Sequence, residues 1–112
     1  MESTRQVKVG RQVQKDLSEI FQRQSVSLFS GGLVTVTSVR MSPDLSLAKA
    51  YVSIFPSEKK ESVMEALNHN IKTIRHELGG RIRNHLRIVP ELAFFIDDSL
   101  DYIEKIDRLL KE

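Results

Sequence analysis

The spacing of apolar residues divides the chain into stretches with helical and strand-like periods. In residues 4–23, apolar side chains recur every three or four positions, which predicts an amphipathic helix. Residues 33–42 are rich in β-branched side chains, and residues 47–55 alternate between two faces, so both stretches are predicted strands. Pro43 and Asp44 between them suit a tight turn, which favours a β-hairpin.

A second helical stripe follows the hairpin and covers residues 63–86, where apolar residues are spaced by three and four. Ser57 is a candidate N-cap for it. The polar run at 68–70 and the pair Gly79-Gly80 are weak points, because these residues disfavour helix interiors. We therefore expect two shorter helices that meet at a bend rather than one rod.

The C-terminal part adds a predicted strand at 92–97 and a short predicted helix at 98–111. Phe94 and Phe95 point to opposite faces of that strand, so we expect both faces to be covered; stacking of these rings on bases is the alternative. Three strands packed against helices make an α+β sandwich. Residues 1–112 are expected to form a single domain.

Composition excludes several classes of protein. The chain has 112 residues, which suits one domain, and no cysteine, which excludes disulfides, thiolate zinc sites and a cysteine nucleophile. No apolar run approaches the roughly 20 residues of a membrane span, and the polar N-terminal stretch lacks the core of a signal peptide. We expect a cytoplasmic protein without a membrane segment.

The distribution of charge is more informative than the net charge of +2. Residues 1–90 hold 14 Lys and Arg against 8 Asp and Glu, whereas residues 91–112 hold 3 against 7. A basic body with an acidic C-terminal region is typical of proteins that bind nucleic acid or another polyanion. A chance distribution of surface charge is the alternative.

Basic side chains gather on one side of residues 70–87, away from the apolar stripe, if the helical period is unbroken. Such a row can neutralise phosphates, and arginine grips phosphate oxygens with two parallel hydrogen bonds. The glycine pair permits close approach of a sugar-phosphate backbone. A solvated face is the alternative, and a second basic row lies on the first helix. The candidate phosphate-binding residues are Lys8, Arg11, Lys15, Lys72, Arg75, His76, Gly79, Gly80, Arg83 and Arg87.

Catalytic chemistry is poorly supported. The histidines lack metal-ligand spacing, "HELGG" lacks the second histidine of a zincin, and there is no phosphate-binding or dinucleotide-binding loop. Asp97, Asp98 and Asp101 suit the positive end of the predicted terminal helix better than an acid–base pair. We therefore expect no enzyme activity, cofactor or metal.

Two stretches carry a family resemblance: "VTSVRMSPDLSLAKAYVSIF" and "IRHELGGRIRNHLRIVPELAFFIDDSL". Together they resemble the ribosome-binding factor A family, and the resemblance extends over about residues 5–110. It implies a KH-like fold of type II topology, helix-strand-strand-helix-helix-strand, with its core in residues 5–97. The Ala-x-Gly kink of that family falls on Asn70-Ile71-Lys72, where asparagine is expected to adopt a left-handed conformation.

The resemblance also implies a function. Family members are small, monomeric, non-enzymatic assembly factors that bind the free, immature small (30S) ribosomal subunit and its 16S RNA. They assist late maturation near the 5′ end of that RNA and support growth in the cold. The acidic C-terminal region is then a candidate surface for basic ribosomal proteins, or a region that orients the molecule by avoiding RNA. The alternative is a protein–protein interaction module that uses the hairpin edge and the last helix and makes no direct nucleic-acid contact.

Overall fold

The computed structural model describes residues 2–24 and 28–97, which form a three-stranded sheet and three α-helices in the predicted order. The predicted terminal helix at 98–111 lies outside the described residues. The elements are α1 (Thr4–Gln24), β1 (Leu33–Met41), β2 (Leu47–Phe55), a 3₁₀ turn (Ser57–Lys59), α2 (Lys60–His69), α3 (Ile71–Ile82) and β3 (Glu91–Ile96).

The sheet has the order β1-β2-β3, with β1 antiparallel and β3 parallel to the central strand β2. The parallel pair needs a crossover connection, which α2 and α3 supply. A β-bulge between Val36 and Ser38 changes which residues of β1 face the helices, so that Val36 is buried and Val39 is also on the inner side. The alternation in the sequence does not reveal this shift.

The predicted inner face of β2 is confirmed, because its residues Ala48, Ala50, Val52 and Ile54 are buried. Helix α1 covers this side of the sheet and buries its own apolar stripe there. Burial of this apolar area is the main stabilising contribution to the fold. The α1 residues with no solvent exposure are Val13, Leu17 and Ile20.

Helix α1 lies close to β1 at Gly10. A Cβ atom on Gly10 would lie 2.8 Å from the carbonyl oxygen of Val39, closer than side-chain carbons come to backbone atoms. The absence of a side chain therefore permits this helix-to-strand distance, although glycine weakens a helix interior by about 1 kcal/mol relative to alanine. The helix continues through this position.

The two faces of β3 differ. Phe94 is buried against Phe21, whereas Phe95 on the opposite face is 43% exposed. The expectation that both faces are covered is therefore wrong at Phe95. Its ring instead stacks on Tyr51 of β2.

The turn between β1 and β2 is held by the Asp44 carboxylate. Its Oδ1 atom accepts hydrogen bonds from the Ser46 hydroxyl at 2.7 Å, the Ser42 hydroxyl at 2.8 Å and the Ser46 N–H at 3.1 Å. These donors, the Ser46 hydroxyl first, lower the pKa of Asp44 below its usual value. Leu45 adopts the left-handed region, with φ of 62°, as the tight turn requires.

The bend between α2 and α3 lies at the polar run and not at the glycine pair. Asn70 separates the helices with φ of −103° and ψ of 16°, so the expected left-handed conformation is wrong. Its side-chain Nδ2 and its backbone N–H both donate to the Ala66 carbonyl, at 2.8 and 3.0 Å. The side chain of Asn70 thus adds a second hydrogen bond to a carbonyl in the last turn of α2, where the helix ends.

Helix α3 continues through Gly79 and Gly80 and ends at Ile82. A helical projection to Arg87 is therefore wrong, because residues beyond Ile82 leave the helix. The expected N-cap at Ser57 is also wrong. That residue lies inside the 3₁₀ turn, which precedes α2 and makes no side-chain cap bond.

Candidate nucleic-acid interface

An open groove of about 710 Å³ lies along the outer side of α3. Six of the ten predicted phosphate-binding residues line it, so the basic row of α3 and this groove coincide. Sequence reasoning missed the seventh lining residue, Val89, because an apolar residue in an irregular segment gives no periodic signal. The lining residues are Lys72, Arg75, His76, Gly79, Gly80, Arg83 and Val89.

The other flank of α3 is neutralised by acids. Arg81 forms an ion pair with Glu19 of α1 and lies 3.9 Å from the Asp16 carboxylate. Glu77 of α3 likewise pairs with Arg23 of α1 at 3.2 Å. These acidic side chains therefore pair with arginines at the interface between α1 and α3.

The groove keeps its positive charge. Within residues 2–24 and 28–97, neither Lys72 nor Arg83 forms an ion pair, and both are exposed. His76 lies between them along the same side of α3, is also exposed, and is part of the groove lining. Exposed cations without neighbouring acids attract anions from solution, so this side of α3 suits a polyanion.

Arg75 has a structural role in the groove wall. Its Nε donates to the Pro90 carbonyl at 3.0 Å, and one Nη donates to the Val89 carbonyl at 2.7 Å. These charged hydrogen bonds hold the segment between α3 and β3 against the helix. Arg75 therefore shapes the groove wall with two of the nitrogens of its guanidinium group.

The two glycines differ in what surrounds them. A Cβ on Gly79 would lie 2.9 Å from Cγ2 of Val89, so the missing side chain of Gly79 gives room to the protein's own groove wall. A Cβ on Gly80 would meet nothing within 4 Å. Of the pair, Gly80 is thus the residue that leaves the surface of α3 open.

The remaining predicted cations do not join this groove. Arg87 lies beyond α3 and lines a separate cleft of about 160 Å³ that Arg5 and Asp44 also line. Lys8, Arg11 and Lys15 lie on α1 and are absent from the lining of the α3 groove. The single row from Lys72 to Arg87 is therefore wrong, and the basic residues form separate patches.

Asp97 lies at the end of β3 and accepts a hydrogen bond from the Thr37 hydroxyl at 2.6 Å. This bond ties β3 to the bulge of β1. Asp98 and Asp101 lie outside the described residues.

Two further findings concern the part of the chain that the structure describes. Its His, Asp and Glu side chains form no group of three or more that is able to hold a metal ion. None of its helices combines the length and apolar character needed to cross a membrane.

Comparison with known proteins identifies the family. Residues 5–110 match the family model of ribosome-binding factor A. The chain belongs to the ribosome-binding factor A family. Ribosome-binding factor A from Christiangramia forsetii is 47% identical over 111 residues, which cover 98% of this chain and 85% of the relative. The Flavobacterium johnsoniae protein of the same name is 48% identical with the same coverage.

Solved structures agree with this family and with the KH-like α+β fold. The crystal structure of ribosome-binding factor A from Thermus thermophilus has a TM-score of 0.68 and 27% identity, covering 81% of this chain and 94% of that chain. A homology model of the Thermus thermophilus factor, fitted into a cryo-EM map of a 30S–RbfA complex, has a TM-score of 0.68 and 30% identity. That similarity covers 83% of this chain and 96% of the fitted one. The family resemblance noted in the sequence is thereby confirmed.

Proposed function

We propose that this protein is a non-enzymatic ribosome-binding factor that binds the small (30S) subunit through its 16S rRNA. The observation that carries the proposal is the α3 groove, where exposed cations have no acidic partner among the described residues. Membership of the ribosome-binding factor A family supports it. So does the similarity to the Thermus thermophilus factor that was fitted into a map of a 30S–RbfA complex.

The proposal includes the finer properties that the family implies. The protein acts as a cytoplasmic monomer, binds the free and immature subunit, assists late maturation near the 5′ end of 16S rRNA and supports growth in the cold. Residues 1–112 act as one domain with its core in residues 5–97. The acidic C-terminal region contacts basic ribosomal proteins.

The groove binds RNA through backbone phosphates. Lys72 and Arg83 lie at opposite ends of α3, about 16 Å apart along the axis at 1.5 Å per residue, so they reach different phosphates of one strand. Gly80 between them leaves the helix surface free for the sugar-phosphate backbone. The cations of α1, Lys8 and Arg11 among them, are secondary contacts, because they lie outside the groove.

Charge reversal tests this mechanism. The variant Lys72→Glu/Arg83→Glu is compared with Lys8→Glu/Arg11→Glu, which changes the net charge equally on α1. Co-sedimentation with isolated 30S subunits and with assembled ribosomes measures binding, and urea denaturation checks folding. We expect a loss of 30S affinity of about tenfold or more for the α3 reversal and a smaller loss for the α1 reversal. Wild-type binding by the α3 variant would instead support the protein–protein module.

Salt dependence gives a second test of the same contacts. Each phosphate contact contributes about 0.7–0.9 to the slope of log K against log salt. Neutralising Lys72 and Arg83 with glutamine should therefore reduce that slope by about 1.5. An affinity that does not change with salt would contradict phosphate binding.

Gly80→Ala separates ligand approach from folding. The protein has room for the added methyl group, so stability should not fall. If the RNA backbone lies against this part of α3, the 30S affinity should nevertheless decrease. Full affinity together with unchanged stability would show that RNA does not come close to Gly80.

A further inference from the structure

The face of the sheet that α1 does not cover carries two cations directly opposite each other. Arg40 of β1 pairs in register with Lys49 of β2, and both side chains are exposed. Like charges in directly opposed positions destabilise a sheet, whereas opposite charges in such positions stabilise it. Neither residue forms an ion pair with any residue in 2–24 or 28–97. The fold itself therefore gains nothing from this pair of charges.

The next row of the same face is aromatic. Tyr51 of β2 is in register with Phe95 of β3, and their rings stack with centroids 5.5 Å apart and planes inclined by 28°. The neighbours in register with Tyr51 and Lys49, Ser38 and Ala93, are small. Rings and cations thus lie side by side without a large residue between them.

The two rows are close enough to act on one ligand. Residues two positions apart on a strand are separated by about 7 Å, which is near the distance between a nucleotide's phosphate and its base. A cavity of about 360 Å³ lies beside them, and Arg40, Lys49 and Tyr51 are part of its lining. Glu2 is the one acidic residue in that lining.

We propose that this open sheet face binds single-stranded RNA, with a phosphate on the Arg40–Lys49 pair and a base stacked on the rings of Tyr51 and Phe95. Cations that neutralise the backbone and aromatic rings that accept unpaired bases are the combination that single-stranded nucleic acid requires. The site is distinct from the α3 groove, whose lining has cations along a helix and no Phe, Tyr or Trp ring. The choice of RNA as the polyanion rests on the proposed function.

The experiment uses the full chain and a short, fluorescently labelled single-stranded RNA, with binding measured by fluorescence anisotropy. Tyr51→Leu keeps an apolar side chain but removes the ring. Its matched control is Phe55→Leu, at an exposed aromatic residue further along the same strand. We expect about a 5- to 50-fold loss of affinity for Tyr51→Leu and none for Phe55→Leu.

A second variant keeps the proposal testable if Tyr51→Leu folds poorly. Arg40→Gln/Lys49→Gln should weaken binding and reduce the salt slope by about 1 to 2. It should also raise the urea midpoint, because the repulsion between the two charges is removed. Wild-type affinity in both variants would overturn the proposal.

The alternative occupant of this face is the chain's own residues 98–112, which are acidic and have apolar residues at helical spacing. Nuclear Overhauser contacts between the Tyr51 ring and that segment, unchanged when RNA is added, would also overturn the proposal. Ring signals of Tyr51 that shift on RNA addition would support it. The variant Lys72→Glu/Arg83→Glu distinguishes the two sites. It changes only the α3 groove and leaves Tyr51 intact, so its 30S binding tests the groove independently of the sheet face.

Discussion

Replacing Gly10 with alanine adds one methyl group where α1 lies close to β1. Helix propensity alone predicts a gain of about 1 kcal/mol for this change. The added Cβ, however, would lie 2.8 Å from the Val39 carbonyl oxygen, a backbone atom that cannot rotate away. Overpacking of this kind costs about 1–3 kcal/mol. The expected net effect is a loss of up to about 2 kcal/mol.

Gly80→Ala is the matched control, since it adds the same methyl group to the interior of α3 with no atom within 4 Å. This variant should gain up to about 1 kcal/mol. The propensity change is common to both variants, so their difference of about 1–3 kcal/mol measures the contact of Gly10 with β1. Urea denaturation followed by circular dichroism gives both midpoints, and equal slopes m validate the comparison. If Gly10→Ala stabilises the protein as much as Gly80→Ala does, α1 and β1 are not in close contact at Gly10.

Three further changes test other contacts. Arg75→Lys should lower the free energy of unfolding by about 1–3 kcal/mol, because lysine cannot donate to both the Val89 and the Pro90 carbonyls. The control Lys72→Gln should change that free energy by no more than about 0.5 kcal/mol. Equal urea midpoints for Arg75→Lys and the wild type would refute the structural role of Arg75. Arg81→Gln should lower the free energy of unfolding by about 1–2 kcal/mol, because the buried Asp16 loses its neighbouring cation. In a double-mutant cycle with Asp16→Asn, the two changes should be coupled. Strictly additive effects would argue against an interaction between Arg81 and Asp16. Asp44→Asn removes a carboxylate whose folded-state pKa is lowered, so the advantage of the wild type is present above about pH 3.8 and disappears as pH falls through the folded pKa. Urea midpoints at neutral and strongly acidic pH measure it, and the same advantage at both would contradict the assigned pKa shift.

Features that depend on local sequence were predicted correctly. The inner face of β2 follows from strict alternation, and the hairpin turn follows from the preferences of Pro43 and Asp44. The break before α3 was one of the two predicted weak points, and it lies at Asn70, whose side-chain amide bonds back to the Ala66 carbonyl of α2. Glycine in a helix interior lowers stability by only about 1 kcal/mol relative to alanine, so α3 continues through Gly79 and Gly80.

Features that depend on contacts between distant segments were not predicted. The predicted position of Arg87 on the basic row was wrong, because that prediction continued the helical period beyond Ile82, where α3 ends. Arg75 was predicted as a phosphate-binding residue, and its bonds to the segment before β3 were not predicted, because they involve backbone carbonyls, which have no sequence signature. The roles of Gly10 and Gly79 likewise became visible only through the atoms that occupy the space beside them.

The parallel pairing of β2 with β3 has a consequence for the growing chain. One edge of β2 pairs at once with β1 through a short turn, but its other edge pairs with residues that follow two helices. At about 5–20 residues per second, translation exposes that edge for roughly 2 to 8 s before β3 has been synthesised. An unpaired edge of an apolar strand is a template for association with other chains. The central strand of this small protein is thus most vulnerable during its own synthesis, before the last strand covers it.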